Sequence, residues 1–201
     1  MILSLIMLLA QNAFGWSLDY NMPKYYHEWN WSVGHKEEIT YAKCRQLNGV
    51  VNKWKAKEKN AGDFWNSSIT CKSMKSNGNL DSNSMKDSHF EYSGSGDMVN
   101  SEVNSNRIPV GVKLKYKKWN GTKKVIDFTL IQLPIEQIGQ CATDGYNAGW
   151  ATRRNSSNHE VITLFCNCGA MTALDVIKKK PNLSAPEITG VRIQCNLVEY
   201  N

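Results

Sequence analysis

Asp63, Asp144 and Glu160 are the carboxylates whose settings could serve chemistry on a sugar. Glycoside cleavage or transfer needs two such groups about 5 to 9.5 Å apart, one as acid and one as nucleophile or base. Binding without reaction needs flat rings, and Trp29, Trp31, Trp65, Trp119 and Trp150 are the candidate stacking platforms. Other chemistries lack their parts. Gly94-Ser95-Gly96 lies in a Ser- and Asn-rich stretch without the strand-turn-helix setting of a nucleophile elbow. His27, His35, His89 and His159 have no metal-ligand spacing. The run Asn77-x-Asn79-x-Asp81 imitates a calcium loop, but its sixth residue is Ser82 instead of Gly and its twelfth is Ser88 instead of Glu. The sequence calls for no cofactor.

The six cysteines carry the most regular signal. Cys44 to Cys71 spans 28 residues, Cys141 to Cys166 spans 26 and Cys168 to Cys195 spans 28. Sequential pairing turns them into three loops of like size, so 44–71, 141–166 and 168–195 are the expected bridges. There is no C-x-x-C. On one strand, Cys166-Asn167-Cys168 would put both sulfurs on one face, where each reaches a separate partner more easily than the other. An even cysteine count that pairs fully suits an oxidising compartment.

Export agrees with this. Residues 1–15 read as a signal peptide: Ile2 to Ala10 is apolar and Ala13-Phe14-Gly15 suits cleavage before Trp16. A membrane-spanning helix needs about 20 apolar residues, and Gln11 and Asn12 end this run early. The rest, 16–201, reads as a single all-β domain. Five N-glycosylation sequons, at Asn30, Asn66, Asn120, Asn155 and Asn182, mark expected surface. The net charge of +6 comes from Lys113-Lys115-Lys117-Lys118, Lys123-Lys124 and Lys178-Lys179-Lys180. For an exported chain it points to sulfated or sialylated glycans or anionic lipid instead of nucleic acid. A merely solvated face reads equally well.

The elements that must position these residues are strands. Val112, Leu114 and Tyr116 alternate with Lys113, Lys115 and Lys117, Asn120-Gly121 turns the chain, and 125–133 returns as a β-rich run. The three cysteine units share a glycine-opened strand, a polar middle and a closing strand ending in cysteine, which predicts repeated hairpin or Greek-key units. The segment 72–107, crowded with Ser, Asn and Gly, reads as a long loop or insertion.

These units resemble the vitelline membrane outer layer protein I family. Cys141-Ala142-Thr143-Asp144-Gly145-Tyr146-Asn147-Ala148-Gly149-Trp150-Ala151 is similar to its unit opening, and Gly190-Val191-Arg192-Ile193-Gln194-Cys195 to its closing strand. Cys168-Gly169-Ala170-Met171-Thr172 resembles its third opening, and Glu28-Trp29-Asn30-Trp31 its first tryptophan pair. The resemblance implies a β-prism of three sheets, one disulfide within each unit, and an exported egg-coat protein with proposed sugar-binding or transglycosylating activity. The family's Asp-Asp-Thr-Ala is not present as such: Asp63 with Asn66 echoes it in the first unit, and Asn158-His159-Glu160 and Ala185-Pro186-Glu187 stand in its place in the others. A weaker similarity to dermatopontin-type matrix proteins rests on Asn48-Gly49-Val50-Val51 and Asp63-Phe64-Trp65.

The reading is an exported, disulfide-bonded, N-glycosylated coat, matrix or carbohydrate-binding protein whose sequence displays no catalytic machinery. Two alternatives stand beside it: a glycan transferase or hydrolase using Asp63, Asp144 or Glu160, and a toxin or effector that meets membranes through the basic hairpin.

Overall fold

Val112, Leu114 and Tyr116 are buried and Lys113, Lys115 and Lys117 only half-buried, as their alternation requires of a strand with one face on a core. The computed structural model describes residues 14–34, 37–58, 64–90, 96–152, 158–179 and 187–201. The lysine strand is β8 (Ile108–Trp119), paired antiparallel with β9 (Thr122–Leu133). Asn120 (φ 47°) and Gly121 (φ 78°) close the hairpin. Successive positive φ values are the two-residue turn that follows the twist of antiparallel strands, and Asn-Gly adopts it at least cost.

Two further long hairpins repeat this plan, β4 (Gly49–Glu58) with β5 (Phe64–Met74) and β12 (Gly169–Lys179) with β13 (Glu187–Tyr200). Shorter strands widen each into a sheet. Around β8 and β9 the order is β10-β9-β8-β11, with β10 at Tyr146–Asn147 and β11 at Glu160–Phe165. Around β4 and β5 it is β6-β5-β4-β7, with β6 at Leu80–Phe90 and β7 at Asp97–Glu102. The third sheet runs β1-β13-β12-β3, with β1 at Trp16–Leu18 and β3 at Glu37–Thr40, and β2 (Tyr25–Trp29) also on β13. This is the expected three-sheet prism. A helix of five residues, α1 (Ile135–Gly139), follows β9.

The inner faces meet in one apolar core. Trp54 of β4 stacks on Phe128 of β9 at 4.0 Å and Phe64 of β5 meets the same ring edge-on at 5.3 Å. Trp29 of β2 packs on Tyr116 of β8 at 4.8 Å, joining the other seam. Gly111 is needed where β11 crosses close: a Cβ there would stand 2.2 Å from the Leu164 carbonyl oxygen.

Three expectations are corrected. The segment 72–107 carries β6 and β7 instead of forming one long loop. As edge strands they are held by backbone pairing to β5 and β4, so few aliphatic residues are needed. The stretch from Cys141 to Cys166 is no unit of its own. Residues 146–151 run along β9, with Ala148 and Ala151 donating to the Leu130 and Phe128 carbonyls, and 160–165 run along β8. They frame the lysine hairpin, so there are three hairpin units and not four.

The bridges differ accordingly. Cys44–Cys71 forms as expected, but the others are Cys141–Cys168 and Cys166–Cys195, not 141–166 and 168–195. The chain turns at Asn167 and Cys168, whose φ is 56°, so the two sulfurs leave in different directions. Cys166 is buried toward Cys195, while Cys168 faces the exposed Cys141. Cys166–Cys195 therefore ties the end of β11 to β13, across two sheets.

Candidate functional site

The outer face of the five-stranded sheet collects side chains that no core argument explains. Along β2, Trp29 points inward while Tyr26 and Glu28 point out, as period two dictates. Register places Glu28 opposite Arg192, and Arg192 opposite Asp175. Val176 pairs with Thr40, and a bridge joins Ala173 to Lys43. The same register sets Tyr41 opposite Asp175. One row across the sheet thus reads Glu28, Arg192, Asp175, Tyr41, and the next reads Tyr26, Gln194, Ala173, Lys43.

Arg192 is the centre. Its Nε and Nη2 donate to Asp175 Oδ2 at 3.0 and 2.8 Å, and Glu28 lies 3.7 Å from Nη1. Burial pulls the guanidinium pKa down, but the Asp175 hydrogen bonds and the charges of Asp175 and Glu28 more than offset this and raise it. Asp175 is itself buried, and its Oδ1 accepts from the Ala42 backbone N–H at 3.1 Å. Three rings surround the guanidinium: Trp31 at 4.3 Å, Tyr26 at 5.1 Å and Tyr41 at 5.9 Å. Cation–π attraction of about 0.5 to 2 kcal/mol per ring holds such a cluster. Tyr26 is 50% and Tyr41 59% exposed, so the rings stay open to a ligand.

A polar chain fixes the second row. Tyr26 donates its hydroxyl proton to Gln194 Oε1 at 3.2 Å, Gln194 Nε2 donates to Thr172 Oγ1 at 2.9 Å, and Thr172 donates to Asn196 Oδ1 at 2.8 Å. The result is a shelf of aromatic faces with oriented donors and acceptors at its edge. Such a surface can hold the apolar face of a ring while hydrogen-bonding its hydroxyls.

Of the sequence candidates among the described residues, only Trp31 lies on this shelf. Trp29 is corrected from platform to core, because its strand position faces Tyr116. Trp150 is half-buried against the lysine hairpin with Lys115 Nζ 4.1 Å over its ring. The side chains of Trp65 and Trp119, and all of Asp63, lie outside the described residues.

The structure does not bring Asp144 and Glu160 together. Glu160 is level with Tyr116 and Val125, Tyr146 is level with Gln132, and Asp144 lies further on. That puts the two roughly 25 Å apart along the sheet, beyond any carboxylate pair for glycoside chemistry. Glu160 accepts the Tyr116 hydroxyl proton at 2.6 Å, and Asp144 caps Gly145 N–H beside a 210 Å³ hollow that Tyr146 also lines. Among the described residues no three His, Cys, Asp or Glu side chains are grouped to hold a metal, and no helix is long and apolar enough to cross a membrane.

The lysine clusters act partly as ties between sheets. Lys124 is buried and meets Glu187 of β13 at 2.9 Å, and Lys179 donates to Thr122 at 2.9 Å, whereas Lys115 lies 3.4 Å from Asp127, its cross-strand partner within the same hairpin. Burial raises the Asp127 pKa above the ordinary carboxylate value, opposed by backbone hydrogen bonds from Thr152 and Phe128 and by the Lys115 charge. Asn30 is exposed and donates to the Thr189 carbonyl at 2.5 Å, and Asn120 is exposed at the hairpin tip. Asn155, Asn182 and the Asn66 side chain lie outside the described residues.

Sequence reasoning missed Tyr26, Tyr41, Asp175, Arg192 and Gln194. Two pairs were visible as alternating outward positions, Tyr26 with Glu28 and Arg192 with Gln194, but nothing in either strand announced that they would be neighbours.

No protein-family description matches the chain, and no curated protein matches it in sequence. Solved structures match in shape. A single-chain recombinant jacalin superposes with a TM-score of 0.52 at 10% identity, covering 89% of this chain and 98% of that one. Frutapin, a lectin from Artocarpus incisa, gives 0.50 at 10% identity over 87% and 97%. A prostate-specific WGA16 glycoprotein lectin gives 0.50 at 8% identity over 85% and 99%. The chain has the β-prism fold of these lectins.

Proposed function

We propose that this is an exported carbohydrate-binding protein that holds glycans on the shelf formed by Tyr26, Trp31 and Tyr41 around Arg192, without altering them. The observation that carries the reading is the ring cluster itself: three aromatic side chains, two of them at least half exposed, gathered around a guanidinium fixed by a buried carboxylate. Core packing does not account for rings on an outer sheet face. The lectin names of the structural neighbours support the same class, and three disulfides with no free cysteine suit life outside the cell. Sequons exposed at Asn30 and Asn120 suit a glycoprotein, and a coat or matrix role follows from the resemblance to the egg-coat family.

The test is a glycan array probed with the wild type and with Trp31→Ala/Tyr41→Ala, both carrying Ser32→Ala so that no glycan at Asn30 covers the shelf. Specific binding that falls at least tenfold in the ring variant, with an unchanged melting temperature, supports the reading. Binding that is absent, or unaltered by the ring changes, overturns it.

A further inference from the structure

The edge strand that supplies Tyr41 does not end at the shelf. Residues 41–45 continue β3 along β12, with Leu174 N–H donating to the Ala42 carbonyl and Cys44 N–H to the Thr172 carbonyl, both at 2.9 Å or less. Tyr41, Lys43 and Arg45 are exposed and Ala42 and Cys44 buried, so the first three share the outer face. Lys43 follows Tyr41 by about 7 Å along the strand. There the surface becomes concave, in a groove of 460 Å³ lined by Tyr20, Lys24, Lys43, Arg45 and Leu47, among others.

Its charge is one-sided. Three of its lining side chains are cations, and among the described residues that line it there is no carboxylate. Lys24 comes from the loop between β1 and β2 and meets Lys43 across the groove. Hydrogen bonding to Lys43, then burial, then the charge of Lys43 all lower the Lys24 pKa. Two ammonium groups so close repel, and an anion between them would relieve the repulsion.

The groove is also rigid before any ligand arrives. Cys44–Cys71 anchors its floor. Gly49 N–H donates to the Gln46 carbonyl at 3.0 Å, and Met74 N–H to the Asn48 carbonyl at 2.8 Å. The Tyr20 hydroxyl accepts from Asn48 N–H at 2.6 Å and Asn48 Oδ1 from Leu18 N–H at 3.2 Å, which pins the tyrosine wall. A frame pinned in this way loses little freedom on binding, which leaves only the lysine and arginine side chains to be ordered. This groove draws on none of the lysine clusters conspicuous in the sequence.

We infer that the groove of Lys24, Lys43 and Arg45 is an anion subsite contiguous with the aromatic shelf, so that the glycan bound is an acidic one carrying sulfate or carboxylate groups. The inference rests on the shelf reading. A short oligosaccharide stacked on Tyr41 brings its next substituent over Lys43 and Lys24, where a sulfate or carboxylate accepts from both ammonium groups. Exposed Leu47 and Tyr20 beside the cations would also suit an anionic bilayer, but a concave, pinned groove continuous with a ring shelf fits a saccharide better.

The experiment measures binding, in physiological salt, of a sulfated tetrasaccharide and its desulfated parent, a carboxylated counterpart, and phosphatidylserine vesicles. The proteins are the wild type, Lys24→Ser/Lys43→Ser, Trp31→Ala and, as a charge control on β8, Lys113→Gln/Lys118→Gln. Expected is at least tenfold tighter binding of a charged saccharide than of its neutral parent. The groove variant loses that preference while binding the neutral sugar within twofold, and the control keeps it. Equal binding of charged and neutral sugars by the wild type overturns the subsite and leaves the shelf standing. A preference lost equally in the β8 control, or lysine-dependent binding of vesicles without saccharide binding, also overturns it. Charged binding that survives Trp31→Ala at full strength keeps the groove and removes the shelf. Melting temperatures of all variants exclude loss of fold.

Discussion

Asp175→Asn isolates the interaction on which the shelf depends. Asp175 Oδ2 accepts twice from Arg192 and Oδ1 once from Ala42 N–H. An asparagine has one oxygen and one NH2 for these two positions. Wherever the amide points, a donor meets a donor, and keeping the Ala42 bond turns the NH2 on the guanidinium. Each charge-assisted hydrogen bond contributes about 1.5 to 3 kcal/mol net. The two to Arg192 share one oxygen, the Arg192 side chain is 22% exposed, and Glu28 remains nearby, so water and Glu28 recover part of the loss. We expect a destabilisation of about 2 to 3 kcal/mol, below the ~3 to 5 kcal/mol for breaking a fully buried pair. For a chain of this size that lowers the melting temperature by roughly 5 to 10 °C. Asp175→Asn/Arg192→Met removes the uncompensated cation and should recover about half. Urea unfolding followed by tryptophan fluorescence measures both. A single variant within about 0.5 kcal/mol of wild type, or a double variant less stable than the single, would refute this account of the centre.

Cys141→Ser/Cys168→Ser should leave no free thiol and cost about 3 to 4 kcal/mol, whereas Cys141→Ser/Cys166→Ser orphans Cys168 and Cys195; a thiol count showing the reverse contradicts the crossed pairing. Gly111→Ala should lower stability by about 1 to 3 kcal/mol, because its Cβ would strike the Leu164 carbonyl; a denaturation midpoint unchanged from wild type would show that β11 yields freely. Burial pushes the Tyr25 phenol up to about 12, above the value near 10 of an unfolded chain. The folded state holds that proton more tightly, so stability falls as pH rises from about 10 to 12. Tyr25→Phe should remove the late phenolate step from a spectrophotometric titration, and superimposable curves would be contrary to this.

The lysine hairpin was legible because its alternation, turn and length all lie within one stretch of chain. The strands β12 and β13 were legible in part, as a glycine-opened and a cysteine-closed run. β6 and β7 were not, because Ser- and Asn-rich edge strands owe their form to backbone pairing with β5 and β4 and carry no apolar period of their own. Cysteine pairing was half legible: equal spans suggested sequential loops, but the direction in which Cys166 and Cys168 point depends on the left-handed turn between β11 and β12. The shelf was hidden for the same reason. Tyr26, Tyr41 and Arg192 are far apart in the chain and meet only through the registers of β2, β12 and β13.

A crystal structure of the protein with an oligosaccharide selected on the array tests the central claim most directly. The account predicts a sugar ring in stacking contact with Trp31 or Tyr41, with hydroxyls bonded to Arg192, Glu28 or Gln194. A saccharide seated elsewhere on the prism, with the shelf bare, would contradict it.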